Sequence, residues 1–200
     1  MPKVTLTPRG LALARTALES GLQFPCTRLT VRTKVVSKGD QNCEWVPFTG
    51  SLPKRIHLFQ VDQTAFNGAI SKNPFDFQLF DLKNVQVMRN EQSIPFDGGI
   101  PVDSSNPLLL YLTSVRALND PSRVNFNSLE FANGYGVMCF DVTNDQSAAQ
   151  QRYKDQQQSG TLKVRLDYSK PLPNAITVFC LAEFDAILVI DHHRNPHWKS

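Results

Sequence analysis

Two stretches of the chain alternate strictly between apolar and polar positions. In Arg28–Val36 every second residue is apolar or Thr, and in Thr161–Tyr168 every second residue is apolar. Successive side chains of a strand point to opposite faces, so a period of two predicts strands with one face on a core and the other in water. The side chains predicted to face the core are Leu29, Val31, Thr33, Val35, Leu162, Val164, Leu166 and Tyr168.

Other apolar runs have the length of strands and are bounded by turn-forming residues. They are Arg55–Val61, Phe75–Asp81, Asn84–Met88, Tyr135–Val142 and Ile176–Ile190. Turn clusters such as Asp97–Gly99 and Asn133–Gly134 lie between them, and most prolines fall at the ends of runs. Strands with one apolar face suit antiparallel sheets, so we expect an all-β chain.

Helical signals are short and peripheral. They occupy Pro8–Ser20, where Gly21 follows as a cap, then Pro107–Leu118, and finally Ser147–Gln158. Strands and helices do not alternate regularly, and no repeat of 20 to 50 residues is visible, which excludes a parallel α/β sheet and a solenoid. We therefore expect one antiparallel β-sandwich with short peripheral helices.

Composition narrows the class of protein without changing this fold. The 200 residues are 41% hydrophobic and 20% charged, and 13 are Phe, which excludes a disordered polyelectrolyte. Net charge is +3, from 21 basic and 18 acidic residues without long basic runs, so no dedicated nucleic-acid surface is expected. Neither a membrane-spanning apolar stretch nor the apolar core of a signal peptide is visible, so we expect synthesis inside a cell without secretion.

The sequence carries little sign of catalysis or metal binding. GxSxG, P-loop, GxGxxG and HExxH motifs are absent, and the four cysteines have no zinc-ligand spacing. Cys139 and Cys180 lie in apolar runs, where a thiol packs as a small hydrophobic group. Three histidines lie close together near the C-terminus: His192, His193 and His197. Such a cluster is more commonly part of a charged terminal tail than a metal site. We expect no enzyme activity, no cofactor and no small-molecule substrate.

Several short phrases, taken together and in this order, resemble the hexon-like major capsid proteins of adintoviruses and Polinton-type elements, including their endogenous copies in animal genomes. The phrases are Leu52–Ile56, Val61–Asp62, Ala65–Gly68, Lys72–Phe77, Ile94–Pro95, Asn133–Tyr135, Phe140–Thr143, Gly160–Leu162, Leu172–Pro173 and Ala182–Asp185. Ala14–Leu18 with Gly21 is similar to the family's segment that leads into this region.

The resemblance implies a double jelly-roll protein, in which two eight-stranded sandwiches stand side by side and three subunits form a pseudo-hexagonal capsomer. This chain is too short for both sandwiches and resembles the C-terminal one. The implied organisation is a leading segment over residues 1–25, one jelly roll over 26–192 and a tail over 193–200. The implied location is the virion, and the implied partners are further copies of the chain, neighbouring capsomers and a penton protein.

A capsid subunit works through surfaces that contact its neighbours rather than through a pocket. The predicted assembly surfaces are the loop Asn67–Phe75, the loop Asp97–Pro107 with the segment to Leu118, and the polar insertion Ser147–Ser159. Their candidate contact residues are Asn67, Lys72, Asn73, Pro74, Phe75, Asp97, Asp103 and Gln156. Two alternatives stay open: a stand-alone β-sandwich that binds a ligand or receptor in its loops, and a metal enzyme on a cupin-like scaffold.

Overall fold

A computed structural model of the chain describes residues 5, 7–19, 21–118, 125–148, 158–191, 193 and 195–199. Ten strands and four helices occupy these residues. In chain order they are α1 (Pro8–Glu19), β1 (Leu22–Val36), β2 (Asn42–Ser51), β3 (Arg55–Asp62), α2 (Gln63–Phe66), β4 (Leu82–Arg89), β5 (Gln92–Ile94), β6 (Ile100–Pro101), α3 (Leu108–Leu118), α4 (Ser128–Ala132), β7 (Met138–Asp141), β8 (Ser159–Tyr168), β9 (Ile176–Ile190) and β10 (Pro196–Lys199).

The strands form two five-stranded sheets. One has the order β1-β9-β3-β7, with β10 also paired to β9, and the other has the order β2-β8-β4-β5, with β6 also paired to β4. The pairing is nested: β1 lies beside β9, β2 beside β8, β3 beside β7 and β4 beside β5. One long hairpin rolled onto itself gives this pattern, which is the topology of a jelly roll. The expected all-β, antiparallel jelly-roll sandwich with short peripheral helices is confirmed.

The chain divides into two compact units, one of residues 29–184 and one of residues 1–28 with 185–200. The larger unit contains β2 to β8, the adjoining parts of β1 and β9, and the core of the sandwich. In the smaller unit β10 pairs antiparallel with β9, with Trp198 opposite Leu188. There the Cys26 thiol also donates a hydrogen bond to the Ala186 carbonyl, with 3.6 Å between sulfur and oxygen.

The core lies between the two sheets of the larger unit. Leu162, Val164 and Leu166 of β8 have no exposed surface, and Tyr168 is buried as well, so the predicted inward face of this strand is confirmed. The buried side chains that face them come from every second residue of β9: Ile176, Val178, Cys180, Ala182 and Phe184. The Tyr168 hydroxyl donates a 2.5 Å hydrogen bond to the buried Gln60 side chain, which satisfies both polar groups inside an apolar core.

The predicted inward face of β1 is wrong. Leu29, Val31 and Val35 are 49–58% exposed, whereas the Arg32 guanidinium lies 5.9 Å from the centre of the buried Phe48 ring. From Val31 to Val35 the side chains on both faces of the strand are exposed, and Val36, at its end, is buried. Alternation distinguishes the two faces of a strand, but it does not show which of them is covered.

The run Phe75–Asp81 is not a strand, contrary to the expectation. Phe80 and Asp81 have φ of 51° and 56°, a left-handed conformation that ends any extended run. Phe77 forms only an isolated parallel bridge with Tyr135. The segment is thus an irregular connection from β3 to β4.

Strand β2 was not expected from the sequence. Pro47 lies inside it, and the register against β8 shifts between Trp45 and Phe48, so a bulge breaks the alternation that marks a strand. Helices α1 and α3 lie where helices were predicted. Most of the predicted helix Ser147–Gln158 lies outside the described residues.

Gly99 is held against the neighbouring strand. Its φ is +89°, and a Cβ at this position would lie 2.6 Å from the Val85 carbonyl oxygen. We expect Gly99→Ala to lower the free energy of unfolding by about 2 kcal/mol, because backbone strain and a clash with main chain add together. Gly98 has φ of +79° and open space around it, so Gly98→Ala should cost only about 1 kcal/mol. Urea unfolding of both variants measures the difference, and equal losses would contradict the close approach.

Candidate assembly surface

The connection from β3 to β4 is tied down at its start. The Asp62 side chain accepts hydrogen bonds from the backbone N–H groups of Thr64, at 2.8 Å, and Ala65, at 3.3 Å, and so caps α2. Lys72 returns to the same carboxylate, with 2.7 Å between Nζ and Oδ2. Burial by itself raises the pKa of Asp62, but the hydrogen bonds from Lys72 and Thr64 outweigh it and lower that pKa to about 2. Lys72, a predicted contact residue, therefore holds the loop in shape.

Three large apolar side chains of this connection project into solvent, and we call them the loop patch. Ile70 is fully exposed, Phe75 is 75% exposed and Phe66 is half exposed. The Phe66 ring packs edge-on against Phe179 of the sheet, with 5.4 Å between ring centres. Large apolar side chains exposed on one loop are candidates for contact with another protein.

The polar candidates on this loop serve its local structure. Asn67 follows α2, and its side-chain oxygen accepts a 3.0 Å hydrogen bond from the Gln63 side chain. Asn73 accepts a 3.0 Å hydrogen bond from the backbone N–H of Phe75, with exposed Pro74 between them. That this loop contacts a neighbour stays a prediction. Phe66 and Ile70 were not among the predicted contact residues, because scattered apolar residues in a turn-rich segment give no periodic signal.

Asp97 and Asp103 lie on either side of β6, and both are exposed. Asn84 of β4 donates a 3.1 Å hydrogen bond to the Gly98 carbonyl, and Ser104 donates a 3.0 Å hydrogen bond to the Leu82 carbonyl. Both loops are therefore fastened to the first residues of β4. Hydrogen bonds from the Ser105 hydroxyl and N–H lower the pKa of Asp103. Gln156, the remaining candidate, lies outside the described residues.

Helix α3 is apolar on two sides. Leu110, Ser114 and Ala117 are buried against the rest of the larger unit. Three leucines are instead 45–52% exposed, and we call them the helix patch; they are Leu108, Leu109 and Leu112. A surface helix usually keeps its outward side polar, so this second apolar side marks an additional contact surface.

An ion cluster fastens the C-terminal end of α3 to the sheet. Glu183 accepts hydrogen bonds from Arg55, at 2.8 Å, and from His57, at 2.9 Å, while Arg55 also donates to the Ala117 carbonyl at 3.2 Å. The side chains of Arg55, His57 and Glu183 are 14–17% exposed. Burial raises the pKa of Glu183, but the bonds from His57 and Arg55 dominate and lower it to about 2. The cluster holds a helix in place.

A cavity of about 250 Å³ opens between α3 and the loop that follows β5. Phe96, Thr113 and Arg116 line it together with Asp141 and Asp145. Both carboxylates already accept backbone hydrogen bonds, Asp141 from Ala148 at 3.0 Å and Asp145 from Ser147 at 3.2 Å. These hydrogen bonds stabilise the conformation of the loop 141–148.

The described residues offer little for metal or thiol chemistry. No three His, Cys, Asp or Glu side chains of the described part of the chain could hold a metal ion together. His192 lies outside that part. Cys139 and Cys180 are buried, as predicted, and burial raises the pKa of each thiol to about 12. No helix among the described residues is long and apolar enough to cross a membrane.

Comparison with solved structures finds chains of two viral particles with a similar fold. A chain in the cryo-EM structure of the Sputnik virophage is 15% identical, with a TM-score of 0.51, over 90% of this chain and 39% of its own length. A chain of the PBCV-1 virus capsid is 8% identical, with a TM-score of 0.50, over 90% of this chain and 52% of its own length. At these identities the similarity shows the jelly-roll fold.

Comparison with known sequences finds a distant relative. An uncharacterised protein of Caenorhabditis elegans is 26% identical over 188 residues, which cover 88% of this chain and 43% of the worm protein. No protein-family profile matches the chain. The chain spans about two fifths of the length of the worm relative and of the Sputnik chain.

Proposed function

We propose that this chain is a capsid subunit, corresponding to the C-terminal jelly roll of a hexon-like major capsid protein of the adintovirus and Polinton type. The observation that carries the proposal is the fully nested jelly roll that presents two exposed apolar patches. Subunits of a shell need a rigid body with surfaces for their neighbours, and they need no catalytic site.

The viral similarities support this role. The PBCV-1 chain with the same fold belongs to a virus capsid, and the Sputnik chain belongs to a virophage particle. The sequence phrases between Leu52 and Asp185 resemble hexon-like capsid proteins, and this resemblance does not depend on the comparison of folds. The worm relative agrees with an origin among copies of such elements in animal genomes.

In this proposal the jelly roll spans residues 26–192, with a leading segment before it and a short tail after it. Three copies associate around a threefold axis, and neighbouring capsomers and a penton protein are the further partners in the virion. The match covers 39% of the Sputnik chain and 52% of the PBCV-1 chain, so each of those chains extends well beyond one sandwich of this size.

The loop patch supplies a direct test. We expect Ile70→Ser combined with Phe75→Ser to weaken self-association about tenfold or more, because each change removes a large apolar group from the interface. Thermal stability should stay unchanged, since both side chains are exposed in the single chain. Sedimentation velocity measures the association, and Ser71→Ala on the same loop is the control. If the double variant associated as strongly as the unaltered chain, the loop patch would not be part of the interface.

One observation favours the alternative of a ligand-binding module. Phe96 is 47% exposed and lines the 250 Å³ cavity together with Asp141 and Asp145. An aromatic ring beside carboxylates is a common arrangement for holding small polar ligands such as sugars. Thermal-shift screening against sugars and small cations tests this alternative, with Phe96→Ser as the variant that should lose any stabilisation.

A further inference from the structure

Strand β1 ends its sheet on one side, and residues 29–36 belong to the larger unit. Among the described residues, no strand pairs with it other than β9. A strand at the end of a sheet presents backbone N–H and C=O groups with which another extended segment can pair. Proteins use such edges to bind peptides by adding a strand.

The side chains along this edge divide into two chemically distinct rows. Leu29, Val31 and Val35 form an apolar row that is 49–58% exposed. On the opposite side, Arg32 and Lys34 are exposed, and neither forms an ion pair with another described residue. An added strand would place its own alternating side chains directly beside these two rows.

We propose that β1, between Leu29 and Val36, binds an extended segment of a partner polypeptide in which acidic and apolar residues alternate. The apolar residues of the partner pack beside Leu29, Val31 and Val35, and its carboxylates lie opposite Arg32 and Lys34. Charge decides against a second copy of β1 as the occupant, because pairing two copies would set basic residues opposite basic residues.

This binding is independent of the proposed assembly through the loop patch and the helix patch. It rests on backbone pairing and charge at one sheet edge, so it applies equally to a capsid subunit and to a stand-alone module.

Fluorescence anisotropy with labelled eight-residue peptides tests the proposal on the complete chain. We expect a peptide that alternates Glu and Val to bind about tenfold tighter than a scrambled peptide of the same composition, or than a peptide that alternates Lys and Val. Backbone amides of residues 29–36 should gain protection from hydrogen exchange when the first peptide binds. Equal binding of all three peptides, protection elsewhere, or self-association without peptide binding would overturn the proposal.

Charge reversal makes the test specific. The double variant Arg32→Glu with Lys34→Glu should prefer the Lys–Val peptide over the Glu–Val peptide. The matched control, Lys83→Glu with Lys170→Glu, carries the same change in net charge on exposed residues of the described chain and should keep the original preference. Circular dichroism confirms that both variants are folded. The same preference in both double variants would show that binding depends on net charge alone and would contradict the site.

Discussion

Val164→Asp is expected to abolish folding. Val164 has no exposed surface and lies in the middle of β8, between β2 and β4. A carboxylate there would lose its hydration without gaining a partner, at a cost of about 5 kcal/mol or more, which matches the whole stability of many domains. The variant should be insoluble or should show no cooperative unfolding transition by circular dichroism.

The neighbouring residue provides the matched control. Lys163 lies on the solvent side of the same strand, where its ammonium group contacts Glu91 at 2.9 Å and Glu44 at 3.7 Å. Lys163→Asp introduces the same side chain beside two carboxylates, which should lower stability only slightly and leave the protein folded. If both variants lost soluble protein equally, the inward and outward faces assigned to β8 would be wrong.

Glu183→Gln is expected to lower the free energy of unfolding by about 3 kcal/mol at neutral pH. The amide cannot balance the charge of Arg55, which lies largely buried and also holds the Ala117 carbonyl at the end of α3. The control is Glu91→Gln, which removes an exposed carboxylate paired with Lys163 and should change stability by less than about 1 kcal/mol.

The effect of Glu183→Gln should depend on pH in a defined direction. The pKa of Glu183 is about 2 in the folded chain against an ordinary value of 4.5, so the folded state binds its proton more weakly than the unfolded state. Its contribution to stability is therefore complete above pH 4.5 and is lost as the pH falls toward 2. Urea unfolding at several pH values should show the gap between wild type and variant closing over this range. A gap that stays constant would mean that Glu183 acts through packing alone.

The sequence predicted the fold where the alternation coincides with burial. On β8, buried Leu162 and Leu166 and solvent-facing Lys163 follow the pattern, because both faces of that strand have their usual surroundings. On β1 the same pattern predicted a buried face, but Leu29 and Val31 are exposed because that side of the sheet is uncovered in the single chain. That information lies in the arrangement of the sheets and not in the strand itself.

Irregular backbone explains the other differences in the fold. Pro47 and the bulge beside it conceal β2, and the left-handed residues Phe80 and Asp81 interrupt a run that is otherwise rich in aromatic residues. Both features depend on contacts with distant segments, such as the bridge between Phe77 and Tyr135.

The sequence predicted three loop segments as contact surfaces, and that role stays a prediction. Lys72 and Asn73 were selected as contact residues, and the structure shows both in hydrogen bonds within their own loop. The exposed apolar groups Phe66 and Ile70 carry the stronger signal for an interface. Exposure of an apolar side chain is a property of the folded chain, which a linear pattern does not record.

The most direct test of a self-assembling subunit is the solution mass of the chain, measured by light scattering over a range of protein concentrations. Assembly into a trimeric capsomer predicts a particle of three times the chain mass of 22.5 kDa, or a larger closed assembly built from that trimer. Replacing Ile70 and Phe75 by Ser should return the mass toward that of one chain. A mass of one chain at every concentration of the unaltered protein would contradict self-assembly through these patches.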